Sequence, residues 1–285
     1  MLTCSKVNLS LAVTAKRPDG YHDLDSLFYP FRDPSDEITI EDAPDSSGVT
    51  IRCDAPGVPL EPEKNLCGKA VCAYCKAAGM DVPGLVIYLE KHIPVAAGMG
   101  GGSADGATVL KLLQERFRAL SESQLENAAF SLGADVPFFL TPRPSYVTGA
   151  GEHHTPVEGL PEHLPLLLAA PQVPVSAAWA YQHMDLQRAI FTPPCTNELI
   201  DALRRRDFES AAQFMRNDLE HALFIKYPLL GLLRTFLLEN GALRVMVSGS
   251  GPTILALFRD DAAAQATHAR AASEFDPAVR FILPA

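Results

Sequence analysis

The chain has 285 residues, with 24 Lys and Arg against 34 Asp and Glu, a formal net charge of −10 and 47% apolar residues. At a soft ~150 residues per domain this is about two domains, with enough apolar sequence for a core that needs no disulfide staples. The acidic balance lacks the basic footprint of a general nucleic-acid binder, yet leaves room for a small phosphorylated ligand in one local pocket.

The first informative segment is CSKVNLSLAV, residues 4–13. Lys6 and Asn8 stand two apart in a strand-like run and so share a face. Either that face points inward and Lys6 has a partner, or the strand lies at an edge with its lysine outward. Lys6, Asn8 and Ser10 also interrupt any apolar leader, so no signal peptide is expected and a cytoplasmic location is. RPDGYHDLDSLF follows, a Pro-Asp-Gly turn that delivers Tyr21 and His22 just after it.

Residues 38–41, 49–53 and 84–91 carry the β-branched, partly alternating character of strands. Helical periodicity predicts helices over 65–78, 103–118, 123–132, 197–205, 208–224 and 228–239. Cys67, Cys72 and Cys75 have the C-x4-C-x2-C spacing of an iron–sulfur loop. Their Ala-rich surroundings, and a distant Cys195 as the only downstream fourth ligand, make them helix-packing thiols instead.

KHIPVAAGMGGGSADGATVLKLLQERF, residues 91–117, runs from an extended apolar stretch into Gly98, Gly100, Gly101 and Gly102, then places Ser103 and Asp105 at a helix N-terminus. No Gly-Lys-Ser/Thr follows, and Ser103 stands where a dinucleotide fingerprint has its third glycine. Two readings stay open: a flexible turn capped by Ser103, or a backbone cradle in which N–H groups and the positive helix end hold phosphate.

GADVPFFL, residues 133–140, sets Asp135 between an amphipathic helix and an apolar strand, either as a surface-turn residue or as a partly desolvated carboxylate with a cationic partner or a task. Seven Pro and Gly fall between 139 and 164, which places a domain boundary near 155, giving 1–155 and 156–285. The apolar stretch 164–184 is broken by Pro165, Pro171, Gln172 and Pro174, so no membrane span is expected. His153 and His154 are adjacent and diverge, and no histidine spacing predicts a zinc site. Two strand-like runs, 245–247 and 254–258, are joined by SGSGPT, residues 248–253, either a tight hairpin or a second wall of an anion site.

Taken together, SKVNLSLAV, PVAAGMGGGSADGA and SGSGPT resemble the three motifs, in the same order, of the small-molecule kinases named for galactokinase, homoserine kinase, mevalonate kinase and phosphomevalonate kinase, the GHMP kinases. The resemblance covers nearly the whole chain, and RPDGYH, LGADVPFFL, GAGEHHTP, VSAAWAY and NDLE point to a branch acting on a cytidyl-methylerythritol. It implies an α+β fold of two domains with ATP and substrate in the interdomain cleft, and a left-handed β-α-β crossover. It implies ATP- and Mg2+-dependent phosphorylation of an alcohol on a small-molecule substrate.

By matching position, the resemblance implies Asp135 as catalytic base and Lys6 as the cation that holds it ionised. Gly98, Gly100, Gly101, Gly102 and Ser103 would wrap the phosphates of ATP, with Asn65 near the adenine. Asn8, Tyr21, His22, Lys91 and Tyr181 would line the cytidyl pocket, the tyrosines stacking on cytosine. The chain departs from the family pattern at Met99, Ala104 and Ala177. Other members of the fold, a homoserine or mevalonate kinase, an ATP-consuming decarboxylase and an inactive nucleotide-binding relative, are the alternatives.

Overall fold

The computed structural model describes residues 1–43, 48–187 and 193–285. The chain runs β1 (Ser5–Lys16), β2 (His22–Phe31), β3 (Glu37–Asp42), β4 (Val49–Arg52), α1 (Leu66–Ala78), β5 (Leu85–Glu90), α2 (Gly101–Phe117) and α3 (Glu122–Leu132), then a 3-10 turn (Pro137–Leu140). It continues through β6 (Ser145–Gly149), β7 (His153–Pro156), β8 (Leu166–Pro171), α4 (Ala177–Gln187), α5 (Thr196–Arg204), α6 (Phe208–Phe214), α7 (Glu220–Lys226) and α8 (Pro228–Glu239). The last elements are β9 (Arg244–Val247), β10 (Ile254–Leu257), α9 (Asp261–Phe275) and β11 (Val279–Ile282). Sheets and helices are mixed as an α+β fold.

Two compact units are built from discontinuous segments: 1–5, 31–95 and 100–142 in one, 6–30, 96–99 and 143–285 in the other. Residue 155 lies inside the second unit, because β2 pairs with β6 and draws the N-terminal strands to later sequence.

In the first unit β5 lies between β3, antiparallel with Ile38 opposite Leu89, and β4, parallel with Ile51 opposite Ile87. Period-two alternation buries Ile38, Ile51, Leu85, Ile87 and Leu89 on one face and turns Arg52, Tyr88 and Glu90 outward. Helix α1 starts at Asn65, whose side chain accepts from the Cys67 N–H at 2.8 Å, and stops at the left-handed Gly79. Cys67 and Cys75 are buried on α1 and Cys72 is exposed, the disposition of packing thiols. PFFL forms a 3-10 turn rather than the expected strand: Pro137 lacks the N–H a ladder needs, and Phe138 and Phe139 tuck in edge to face, 5.1 Å apart.

The second unit holds the sheets β1-β2-β6-β7 and β11-β8-β10-β9. β8 is buried along its whole length between β10 and β11, with Leu168 opposite Leu255 and Ala169 opposite Phe281. Its core gathers Leu11 and Val13 of β1, Leu223, Leu233 and Leu237 of the helices, and Phe258. The single helix expected over 208–224 is two, α6 and α7, because residues 215–219 leave the helix to meet β1. Leu11 N–H donates to Arg216 O at 2.8 Å, Asp218 N–H to Leu11 O at 2.9 Å, and Val13 N–H to Asp218 Oδ2 at 2.9 Å. Helix α9 was not expected; its Ala-rich run has little apolar periodicity, and Asp260 caps it through Ala263 N–H at 2.9 Å. Among the described residues no single helix is long and apolar enough to cross a membrane.

Gly68 on α1 passes so close to Pro62 that an added Cβ would meet its carbonyl oxygen and lie 2.5 Å from its Cα. Gly68→Ala is therefore expected to lower unfolding stability by about 1–3 kcal/mol, read as an earlier urea midpoint; an unchanged midpoint would show that the 59–65 turn yields freely.

Candidate functional site

In the second unit the site begins on β1. The nine residues from Ser5 to Val13 are all buried, with Val7, Leu9, Leu11 and Val13 on one face and Lys6, Asn8 and Ser10 on the other. The inward reading of Lys6 is the one the structure bears out. Its ammonium donates to Asn8 Oδ1 at 2.9 Å and sits 3.9 Å from the centre of the Phe28 ring, so the buried charge is held by an amide dipole and a π face. Asn8 is fixed in turn: Nδ2 donates to Ser26 Oγ at 3.0 Å, and its N–H to Ser248 Oγ at 3.1 Å. Ser10 Oγ accepts from Leu27 N–H at 3.0 Å and pairs with Thr196 Oγ1 at 2.8 Å.

Beside this face the two glycine turns interlock. Lys6 N–H donates to Met99 O at 3.0 Å and Thr253 N–H to Ala97 O at 3.1 Å. Gly98 has φ +79°, and a Cβ there would come 2.8 Å from Gly251 O and 3.0 Å from Ser248 O, so only glycine fits. SGSGPT joins β9 to β10 as a hairpin, with Val247 opposite Ile254, and also forms the wall against which the first glycine loop packs. The hairpin reading of that turn holds.

Farther along β1 an aromatic cavity of about 620 Å³ is lined by Lys16, Tyr21, His22, Leu24, Ala177 and Tyr181, among others. His22 and Tyr181 stack at 5.2 Å and 18°. Tyr21 is 66% exposed and presents its ring to an incoming group. Its turn is braced by Arg17, which binds Asp23 at 2.6 Å and Glu152 at 2.9 Å, and by Tyr21 N–H donating to Asp19 Oδ1 at 3.0 Å. Ala177 on α4 brings only a methyl to the cavity.

In the first unit, α2 begins just after Gly100, which is left-handed at φ +75°, and leaves the N–H groups of Gly101, Gly102 and Ser103 without intrahelical partners. No side chain caps this end, so Ser103 is not the cap that a bare structural turn would use. Asn65 spends both ends of its amide on the chain, accepting from Cys67 N–H and donating to Pro59 O at 2.8 Å. Asp135 stands half-buried in the turn between α3 and the 3-10 turn.

Lys91 is not among the residues lining the aromatic cavity, where the resemblance had put it. The exit of β5 carries it beneath α2, where its ammonium, 5% exposed, donates to Asp105 Oδ2 at 2.7 Å and to Asp36 Oδ2. Burial pulls the Lys91 ammonium down, but Asp105 and Asp36 outweigh it and hold it above its ordinary range. Asn8 is likewise absent from the lining and serves the Lys6 face instead.

Sequence reasoning missed Asp36, Ser248 and Asn217, each of which acts through partners remote in sequence. Asn217 Nδ2 donates to Val247 O and to Gly249 O, both at 2.7 Å, and Oδ1 accepts from Leu219 N–H at 2.9 Å. Its presence in NDLE was the available signal.

The family model for the GHMP kinases N terminal domain matches residues 65–142, and that for the GHMP kinases C terminal matches residues 199–276. A 4-diphosphocytidyl-2-C-methyl-D-erythritol kinase of Geobacter sulfurreducens is 41% identical over 284 residues, 98% of this chain and 97% of its own. One from Solidesulfovibrio magneticus is 39% identical over 258 residues, 89% of this chain and 86% of its own. A crystal structure of 4-(cytidine 5'-diphospho)-2C-methyl-D-erythritol kinase covers 100% of this chain and 97% of its own at TM-score 0.82 and 33% identity. A homoserine kinase from Cytophaga hutchinsonii shares the fold at TM-score 0.73 and 21% identity, covering 98% of this chain and 93% of its own.

Asn217→Ala would strip the donors from two buried carbonyls. It is expected to cost about 2 kcal/mol of stability and to speed hydrogen exchange at the Ser248 and Gly251 amides; unaltered exchange there would remove the clamp role.

Proposed function

The chain belongs to the 4-diphosphocytidyl-2-C-methyl-D-erythritol kinases of the GHMP family, and we propose that it transfers the γ-phosphoryl group of ATP to the C2 hydroxyl of 4-diphosphocytidyl-2-C-methyl-D-erythritol, a step of non-mevalonate isoprenoid precursor synthesis. The observation that carries this is the buried Lys6–Asn8 pair set beside two interlocked glycine turns. A charge kept out of water next to a backbone cradle suits a transferring phosphoryl group better than a structural role.

The N–H groups of Gly101, Gly102 and Ser103 and the positive end of α2 bind the phosphates of ATP, with Gly98 and Gly100 letting the backbone approach. Asn65 acts on the adenine through the turn it holds at the start of α1 rather than by a free amide. Mg2+, when bound, neutralises charge on the phosphates. Among the described residues no group of three or more His, Cys, Asp or Glu gathers to hold a metal ion. Asp135 accepts the C2 hydroxyl proton as that oxygen bonds to the γ-phosphorus and ADP leaves. Lys6 opposes the negative charge on the transferring group. The acceptor is a crowded tertiary alcohol, so alignment matters more than basicity.

Cytosine is received in the aromatic cavity, between Tyr21 and the His22–Tyr181 stack. The halves 1–155 and 156–285 keep one family model each, since 155 falls in the unmatched interval between 142 and 199. The protein works in the cytoplasm on small molecules, without nucleic acid or membrane.

Phosphorus NMR of product formed with Mg2+ and ATP should show a new phosphomonoester with the cytidyl substrate and none with mevalonate or homoserine; inorganic phosphate with carbon dioxide would indicate a decarboxylase instead. Asp135→Asn is expected to lower kcat by about 10²–10⁴-fold with ATP still bound, and full activity would exclude the base role. Tyr21→Ala should raise the KM for the cytidyl substrate about tenfold and leave that for ATP nearly unmoved.

A further inference from the structure

The Asp36–Lys91–Asp105 cluster lies within the first unit and is used by none of the steps above. Two carboxylates share one ammonium, so the fully ionised cluster buries one uncompensated negative charge. Asp36 is fully satisfied: Oδ1 accepts from His92 N–H at 2.6 Å and Ile93 N–H at 2.8 Å, and Oδ2 takes Lys91. Its own N–H donates to Thr3 Oγ1 at 2.8 Å. Asp105 is not satisfied, since its Oδ1 is buried with no hydrogen-bond partner. Burial pushes the Asp105 carboxyl up, Lys91 opposes this and Asp36 adds to it, leaving it at about 7.

Asp105 is the fifth residue of α2, one turn from the helix end at which phosphate binds. The coupling between the two is short: a Cβ at Gly101 would lie 3.3 Å from Lys91 Nζ and 3.1 Å from Ile93 Cγ2. An anion there and an ionised Asp105 repel through a poorly solvated turn. The groups that face Asp105 are Lys91 from the end of β5, Asp36 ahead of β3 and the Cys67 thiol of α1, which burial and Asp105 keep protonated. α3 contributes an apolar side chain, Leu132, beside Gly106. A cavity of about 770 Å³ has Lys91 and His92 in its lining.

We propose that Asp105 is a positioning residue for the nucleotide: ATP binding at the start of α2 drives the cluster to take up one proton from solvent at Asp105, so that the bound anion faces a neutral cluster. This rests on the reading that Gly100 to Ser103 hold the phosphates of ATP. With Asp105 ionised the first turn of α2 carries an opposing charge and binds the nucleotide less well.

The test is ATP affinity, by calorimetry in buffers of different ionisation enthalpy, for the wild type and Asp105→Asn between about pH 6 and pH 8. Wild-type affinity should fall on the order of fivefold more than the variant's across that range, which corresponds to roughly a third of a proton taken up on average, in the wild type only. The nucleotide's own titration is common to both chains and cancels in the ratio. Asp105→Glu should restore the pH slope. Infrared difference spectra of the wild type need no variant: addition of ATP near pH 7 should bring up a protonated-carboxyl band. Equal pH slopes, or no such band, overturn the inference while ATP binding stands; failure of ATP to bind overturns the kinase reading beneath it.

Discussion

A lysine ammonium taken out of water and laid along a central strand is the constraint on which most of the second unit depends. Removing such a charge from solvent costs several kcal/mol unless every neighbour is arranged to receive it. Asn8 supplies the carbonyl, Phe28 the ring, and Ser26 and Ser248 hold Asn8 in place. These bonds lock β1 to β2 and to the 248–253 turn in one register. A slip of one residue would bring Lys6 and Asn8 to the apolar face and Val7 and Leu9 to the polar one.

The first unit meets the same difficulty with a different stoichiometry. Where β1 gives its cation an amide oxygen and a ring face, the end of β5 sets one cation between two carboxylates. The second arrangement leaves an oxygen over, and with it a place where a proton comes and goes. Both lie against glycine-rich backbone.

Local signals in the sequence were read correctly where the physics is local. Asn65 opens α1 and Gly79 ends it, and the alternation of 38–41 and 84–91 becomes one buried sheet face, while the common cavity of Tyr21, His22 and Tyr181 was implied by the family resemblance alone. Reading failed where a distant partner decides. Residues 208–224 have helical spacing throughout, but β1 offers better hydrogen bonds to 216–218 than a continuous helix would. Pro137 turned an apolar run into a 3-10 turn, and Ala-rich α9 hides its face because alanine is compatible with either side of a helix. Lys91 was assigned by likeness to the cytidyl pocket, while Asp36, more than fifty positions earlier in the chain, holds it elsewhere. Asp36 itself sits in an unremarkable loop sequence, and nothing short of the folded chain reveals its five bonds.

The bridge between β1 and residues 216–218 has a bearing on how the protein is made. β1 leaves the ribosome some two hundred residues ahead of its backbone partners at Arg216 and Asp218 and of the Ser248 hydroxyl that fixes Asn8. Until then the longest of the described strands has an open edge. At a synthesis rate of about 5–20 residues per second that interval lasts roughly 10–40 seconds, a window in which the nascent N-terminus depends on its own charge and on chaperones to stay unpaired. For the same reason the N-terminal half expressed alone would carry a strand with nothing to complete it.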